Sequence, residues 1–377
     1  MELVEPGKKS ALVLEDGTVF QGVGFGAETE IFGEVVFNTS MMGYPELLTD
    51  PSYQEQIVVM TYPILGSYGV PPSSIQGDGG VPLHFESDSV KIKGLVVHYL
   101  SRPSHWSNQK SLDAWLTEEG VPGMHGVDTR VLTQRLRNKG TMLGVLKVSS
   151  SPINPVVAAG RISELQDPNK QDLVQRVSPK EPIYYDGREQ STIVILDCGV
   201  KYGILRSLLA KGVRVVRVPY DFSANKILEL NPRGVVISNG PGDPKIDLST
   251  IETARRLMET ELPIMGICLG AQILGLAAGA ETYKLKFGHR AVNHPCMDLE
   301  SGRCFITTQN HGYTIDRNSL EDTDFLANFV NVNDKTVEGI RDRKKPFLGV
   351  QWHPESSPGP YDTRFLFDRF FEEALKA

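Results

Sequence analysis

Residues 262–278 admit one local shape. An apolar run, 262–267, leads into Gly266-Ile267-Cys268-Leu269-Gly270, and an apolar, Ala-rich segment, 271–278, follows. The pattern predicts a strand that turns at the glycines straight into a helix, because glycine permits a tight turn and a close backbone approach. Cys268 then projects from the carboxyl end of the strand. The helix N-terminus beside its sulfur favours the thiolate. Alone, a Cys on an apolar strand is most often a packed core residue, so the reactive reading needs a second site.

That site lies near the C-terminus. A strand over 347–351 ends in Trp352-His353-Pro354-Glu355. Pro354 restricts the backbone between the imidazole and the carboxylate. An activated thiol needs a base, and the base needs an orienting group; Cys268, His353 and Glu355 supply all three. Alone, His353 and Glu355 would read as a surface turn.

From about 192 onward, strands and helices alternate. Strands are expected at 192–196, 214–218, 234–237 and 263–267, with helices at 203–211, 224–230 and 249–259. The alternation predicts a mainly parallel sheet with helices on both faces. Ligands of such sheets bind beyond the carboxyl ends of the strands, where Cys268 and the Ser238–Pro244 loop both fall.

The first half reads differently. Short β-branched and aromatic runs at 11–14, 19–20, 34–38, 57–60 and 93–98 are separated in several places by Gly or Asp-Gly, which predicts a β-rich domain. Residues 71–89, rich in Gly, Pro, Ser and Asp, read as a surface loop. Helices are expected at 111–119, with Leu112, Trp115 and Leu116 on one face, and at 128–139, with Val131, Leu132 and Leu136 apolar. A polar stretch punctuated by Ser-Pro and Asn-Pro reads as a linker with one helical segment near 156–165. The division expected is therefore 1–150, a linker 151–190, and 191–377. Neither internal repeats nor low-complexity tracts stand out.

Composition narrows the class. The 377 residues suit two or three domains, and 40% hydrophobic with 23% charged residues is ordinary for a globular chain. A net charge of −7 gives no nucleic-acid footprint. No apolar run approaches a membrane span of roughly 20 residues, and the N-terminus lacks a signal-peptide core. A cytoplasmic protein is expected. The four cysteines, Cys198, Cys268, Cys296 and Cys304, show no metal spacing. All but Cys268 read as packing residues, and no metal is expected on the chain.

These motifs resemble a family. Gly266-Ile-Cys-Leu-Gly-Ala-Gln272 with the C-terminal His353-Pro-Glu355 is similar to the class I, triad-type glutamine amidotransferases. Leu12-Val-Leu-Glu-Asp-Gly-Thr18, the run from Gly33 to Glu46, Leu48-Thr-Asp-Pro-Ser-Tyr53, Gly126-Val-Asp-Thr-Arg130, Lys286-Phe-Gly-His-Arg290 and Asn293-His-Pro295 resemble the small, glutaminase subunit of carbamoyl-phosphate synthetases. The likeness spans nearly the whole chain. It implies a class I glutaminase domain behind a β-rich α/β N-terminal domain. It also implies hydrolysis of glutamine to glutamate and ammonia through a thioester on Cys268.

The same resemblance implies an oxyanion loop over Ser238–Pro244, with Gly240 and Gly242, assisted by the N–H of Leu269. Gln272, Asn310, Gly312 and Tyr313 are implied to hold the amino-acid end of glutamine, and Ser52 to add a contact. It places ATP and a divalent metal on a large synthetase subunit that partners this chain, at least as a heterodimer. Ammonia passes to that subunit through a tunnel, since ammonia loose in neutral water is mostly protonated. The N-terminal domain is the expected docking element. Arginine and pyrimidine synthesis both stay open as destinations. One departure stands out: the residue after Gly270 is often His in this family, and here it is Ala271. Two rival readings are a non-catalytic regulatory subunit and a stand-alone thiol hydrolase of γ-glutamyl compounds.

Overall fold

A computed structural model of the chain describes residues 7–155, 160, 162, 166–188 and 191–376. It forms two compact units, Met1–Ile75 with Ser87–Lys170, and Gln76–Glu86 with Gln171–Ala377.

The first unit is built on β1 (Lys9–Leu14), β2 (Val19–Gly26), β3 (Glu30–Asn38), β4 (Gln56–Met60), β5 (Ile64–Leu65), β6 (Gly94–Val96), β7 (Tyr99–Leu100), β8 (Pro122–His125) and β9 (Met142–Ser149). Seven of these close into a barrel in the order β1-β2-β8-β6-β4-β3-β9, with β9 returning to pair with β1. The Asp16-Gly17 turn joins β1 to β2, Gly17 taking a positive φ of 82°. Leu12, Leu14, Val35, Ile57, Val59, Val96 and Leu146 pack into its core.

The two expected helices form as Leu112–Glu118 and Thr129–Lys139, and Ser111 and Asp128 cap them by accepting from the N–H groups of Ala114 and Val131. Leu112, Trp115 and Leu116 are buried, as are Leu132 and Leu136. Val131 is not; it lies one position before Leu132 and faces solvent at 50% exposure. The helical segment expected near 156–165 falls where only residues 160 and 162 are described.

The second unit is one ten-stranded sheet. Its strands are β10 (Ile183–Tyr185), β11 (Thr192–Asp197), β12 (Arg214–Pro219), β13 (Gly234–Ile237), β14 (Ile264–Ile267), β15 (Thr282–Asp298), β16 (Cys304–Ile315), β17 (Phe325–Asn331), β18 (Val337–Asp342) and β19 (Phe347–Val350), in the order β10-β12-β11-β13-β14-β19-β18-β17-β15-β16. The block β12-β11-β13-β14-β19 is parallel, with helices between its strands, as the alternation predicts. An antiparallel extension, β18 to β16, carries the sheet further.

Alternate residues of the parallel strands serve opposite faces. Val194, Leu196, Val235 and Ile237 join a core with helices Leu248–Leu257 and Leu269–Ala277. Ile193, Ile195 and Val236 join another with helices Tyr202–Leu209 and Phe365–Lys376.

Two stretches read as irregular carry structure. Within 151–190, β10 pairs antiparallel with β12, and the Tyr185 hydroxyl accepts from Arg217 at 3.1 Å. Within 71–89, Val81 and Glu86 are buried in the second unit. Glu86 is drawn in by charge rather than apolarity: its carboxylate lies 2.6 Å from Arg206 and accepts the N–H of Gly203 at 3.0 Å.

Candidate active site

Sterics explain the Gly-x-Cys-x-Gly run. A Cβ at Gly270 would stand 2.0 Å from the Ile237 carbonyl oxygen, and one at Gly266 would stand 2.5 Å from the carbonyl oxygen of Gly270. No side chain fits at either place, so β14 and the following helix cross in near-contact. The turn between them falls on Cys268, whose φ of 54° and ψ of −105° leave the usual regions of an L-residue. This is strain held by packing on both sides, as nucleophile elbows show.

Leu269 opens the helix, so its N–H has no acceptor within that helix. Gly240 is also tightly held; a Cβ there would meet the Cys198 carbonyl oxygen at 2.2 Å. Ser238 and Asn239 before it are fully buried. The Ser238 hydroxyl accepts the Cys198 N–H at 2.9 Å, and the Asn239 side chain accepts the Lys201 N–H at 3.1 Å. The loop after β13 is thereby fixed to the end of β11. Gly242 takes a φ of 93°, open to glycine.

Cys268, His353 and Glu355 are all buried. His353 follows β19, the parallel neighbour of β14, and its N–H is bonded to the Thr308 carbonyl at 2.9 Å. His353 Nδ1 lies 2.7 Å from Glu355 Oε1, which assigns the proton to Nδ1. Nε2 has no hydrogen bond. Burial disfavours the imidazolium, but Glu355 overrides it and the Cys268 side chain adds to the effect, so the ring is shifted above the ordinary histidine range. Burial pushes the Glu355 carboxyl up, yet Lys201 and His353 hold it well below the usual carboxylate range.

The thiol has two further neighbours, the Asn310 carbonyl at 3.7 Å and the Gln351 amide at 3.8 Å. Gln272 ties these together, its amide donating to the Tyr313 carbonyl at 2.8 Å and to Gln351 at 3.0 Å. Asn310, Gly312 and Tyr313 lie within β16 rather than in a loop. Ala271 is buried and packs beneath β19; a Cβ at Gly349 would lie 3.1 Å from its own. Ser52 belongs to the first unit, buried in the turn Pro51–Tyr53. Of the other cysteines, Cys198 and Cys296 are buried as expected, but Cys304, at the exposed start of β16, is not.

Sequence reasoning missed one member of the constellation. Lys201 is buried, with Nζ 2.9 Å from Glu355 Oε1 and 3.9 Å from Glu86. A chain of alternating charge, His353–Glu355–Lys201–Glu86–Arg206, backs the imidazole. Gly203 makes room for it, since a Cβ there would lie 2.8 Å from Glu355 Cγ. The available signal was position: Lys201 sits just beyond the carboxyl end of β11, on the same edge as Cys268. The arrangement as a whole can run thiol acyl transfer, with a strained nucleophile, an oriented imidazole and fixed backbone donors.

The chain is similar to known proteins over nearly its whole length. Residues 194–373 match the family model described as glutamine amidotransferase class-I, and residues 12–146 that of the carbamoyl-phosphate synthase small chain, CPSase domain. A carbamoyl phosphate synthase small chain of Pyrococcus furiosus is 48% identical over 368 residues, covering 96% of this chain and 97% of its own. One of Methanopyrus kandleri is 48% identical over 367 residues, with 96% and 98% covered. One of Sulfurisphaera tokodaii is 46% identical over 376 residues, with 97% and 96% covered.

Proposed function

The chain belongs to the carbamoyl-phosphate synthase small-chain family, and we propose that it is the glutamine-hydrolysing subunit that supplies ammonia to a large synthetase chain. The observation that carries this is the buried set of Cys268 on a strained turn and His353 held by Glu355. A regulatory chain has no use for that strain.

The Cys268 thiolate attacks the side-chain amide carbon of glutamine. The N–H groups of Gly240 and Leu269 stabilise the oxyanion. His353 Nε2 donates a proton to the leaving nitrogen, and the C–N bond breaks to give ammonia and a γ-glutamyl thioester. His353 then takes a proton from water, whose oxygen attacks the thioester and releases glutamate and Cys268. Gln272, Asn310, Gly312 and Tyr313 hold the α-amino and α-carboxylate groups, with Gly242 in the oxyanion loop. ATP, a divalent metal and bicarbonate act on the large chain, which docks through the first unit of this one.

The test is glutamine hydrolysis by wild type and Cys268→Ser, each with and without the large chain, ATP and bicarbonate. The reading requires that wild type speeds up when the partner turns over. It also requires that Cys268→Ser is dead on glutamine yet supports synthesis from free ammonia. Equal rates for the two proteins on glutamine would refute it. Full wild-type activity with no stimulation by the partner would favour a stand-alone hydrolase.

A further inference from the structure

Among the described residues of the second unit, His289 of β15, His311 of β16 and Glu338 of β18 each offer one ligand atom, all within 4.8 Å of one another, and all three side chains are buried. One nitrogen of each ring is already engaged. His311 Nδ1 is 2.8 Å from the Tyr313 carbonyl. A carbonyl only accepts, so the ring proton sits on Nδ1 and Nε2 is a bare lone pair.

His289 is aimed likewise. Its Nε2 is 2.8 Å from Asp334 Oδ2, which leaves Nδ1 facing Glu338 Oε1 at 3.4 Å. Neither His289 Nδ1 nor His311 Nε2 makes a hydrogen bond. Glu338 is fixed by the amides of Gln309 and Asn331, each at 2.8 Å. A buried polar atom without a partner costs about 1–3 kcal/mol. His311 Nε2 is such an atom, and His289 Nδ1 faces only the Glu338 carboxylate, an arrangement that a positive charge would satisfy.

We propose that His289, His311 and Glu338 bind one divalent transition-metal ion of the zinc class, with Asp334 and the Tyr313 carbonyl orienting the imidazoles. Two imidazole nitrogens and a carboxylate are a ligand set that zinc takes. Each imidazole also has the outer partner that metal-bound histidines have, one a carboxylate and the other a backbone carbonyl. Glu338 and Asp334 together balance a dication. The competing occupant is a proton on His289 Nδ1. Burial opposes that proton, but Asp334 and Glu338 favour it and push the ring up to about 9. It would serve Glu338 yet leave His311 Nε2 with nothing. Arg290 also bears on the His311 ring, so the ion must be held by direct ligand bonds and not by the local field. Bound there, it would pin β15, β16 and β18 together beside Asn310 and Gly312.

The full-length protein, purified without a metal-affinity tag or chelator, is assayed for metal by mass spectrometry, then stripped and titrated with Co2+ alone. The proposal expects about one equivalent, visible d–d bands of a low-coordinate site, and a Tm that rises with Zn2+. Glu338→Gln keeps the shape and removes the charge; with its fold checked by circular dichroism, it should weaken uptake at least about tenfold, the lower end of what loss even of an outer-shell partner does. His289→Asn should do the same. Uptake below about a tenth of an equivalent assigns the site to the proton and overturns the proposal. So does uptake that survives Glu338→Gln but vanishes in Cys268→Ser.

Discussion

The Lys201 ammonium lies 2.9 Å from the same Glu355 oxygen that holds His353 Nδ1, and both charged groups are buried. Glu355 is thus pinned from two sides, and the imidazole is oriented by a group that is itself oriented. Removing one member of a buried pair costs about 3–5 kcal/mol, because the other is left uncompensated. Lys201→Met should therefore lower the denaturation midpoint and lower glutaminase kcat, while synthesis from free ammonia with the large chain is retained. Steady-state rates with both nitrogen donors check this. Equal losses with both donors would mean that Lys201 only supports the fold.

Glu355→Gln removes the carboxylate that raises the His353 ring. Without it, the imidazolium loses its proton at lower pH. The alkaline limb of the kcat/KM profile should move to lower pH by about one unit or more, since loss of one unit corresponds to about 1.4 kcal/mol of interaction. A pH profile from 6 to 10 reads the shift.

Asp247 gives a pH effect on stability. Burial, then the charges of Asp172 and Asp243, push its carboxyl up to about 8, and Oδ2 has no hydrogen bond. The folded state thus binds this proton more tightly than the unfolded chain does. Its stabilising contribution is complete below the unfolded value near 3.8 and is lost as pH rises through about 8. Asp247→Asn should remove that slope, so the variant gains on wild type by a few kcal/mol, roughly, between pH 5 and pH 9. Urea midpoints across that range measure the difference.

Gly270→Ala tests the elbow. The added methyl would meet the Ile237 carbonyl oxygen at 2.0 Å. Neither backbone can retreat without breaking β13 or β14, so a loss of about 3 kcal/mol or more is expected, at the top of the range for overpacking. Thermal melts, with glutaminase activity on the folded fraction, decide it.

Legibility followed sequence distance. Cys268 was readable because its strand, turn and helix are contiguous, and Glu355 because it lies two residues from His353. The parallel block was readable from alternating periods. The strands β15 to β18 were not, because their burial is broken by Thr, Lys, His and Asn, and β15 carries Pro295 and two register shifts. Lys201 and Glu86 meet only after folding, from positions 115 residues apart. His289, His311 and Glu338 likewise come from three strands, which is why no metal spacing showed in the chain.

The closed barrel of the first unit bears on how another chain could hold it. Each of its seven strands has a hydrogen-bonded neighbour on both sides, so none offers a fully open edge to an added strand. A partner there must read side chains at the rims and on the outer wall. Its selectivity would then rest on a few residues that can drift one at a time, so that small and large chains from different organisms should become mismatched gradually rather than by one lost backbone register.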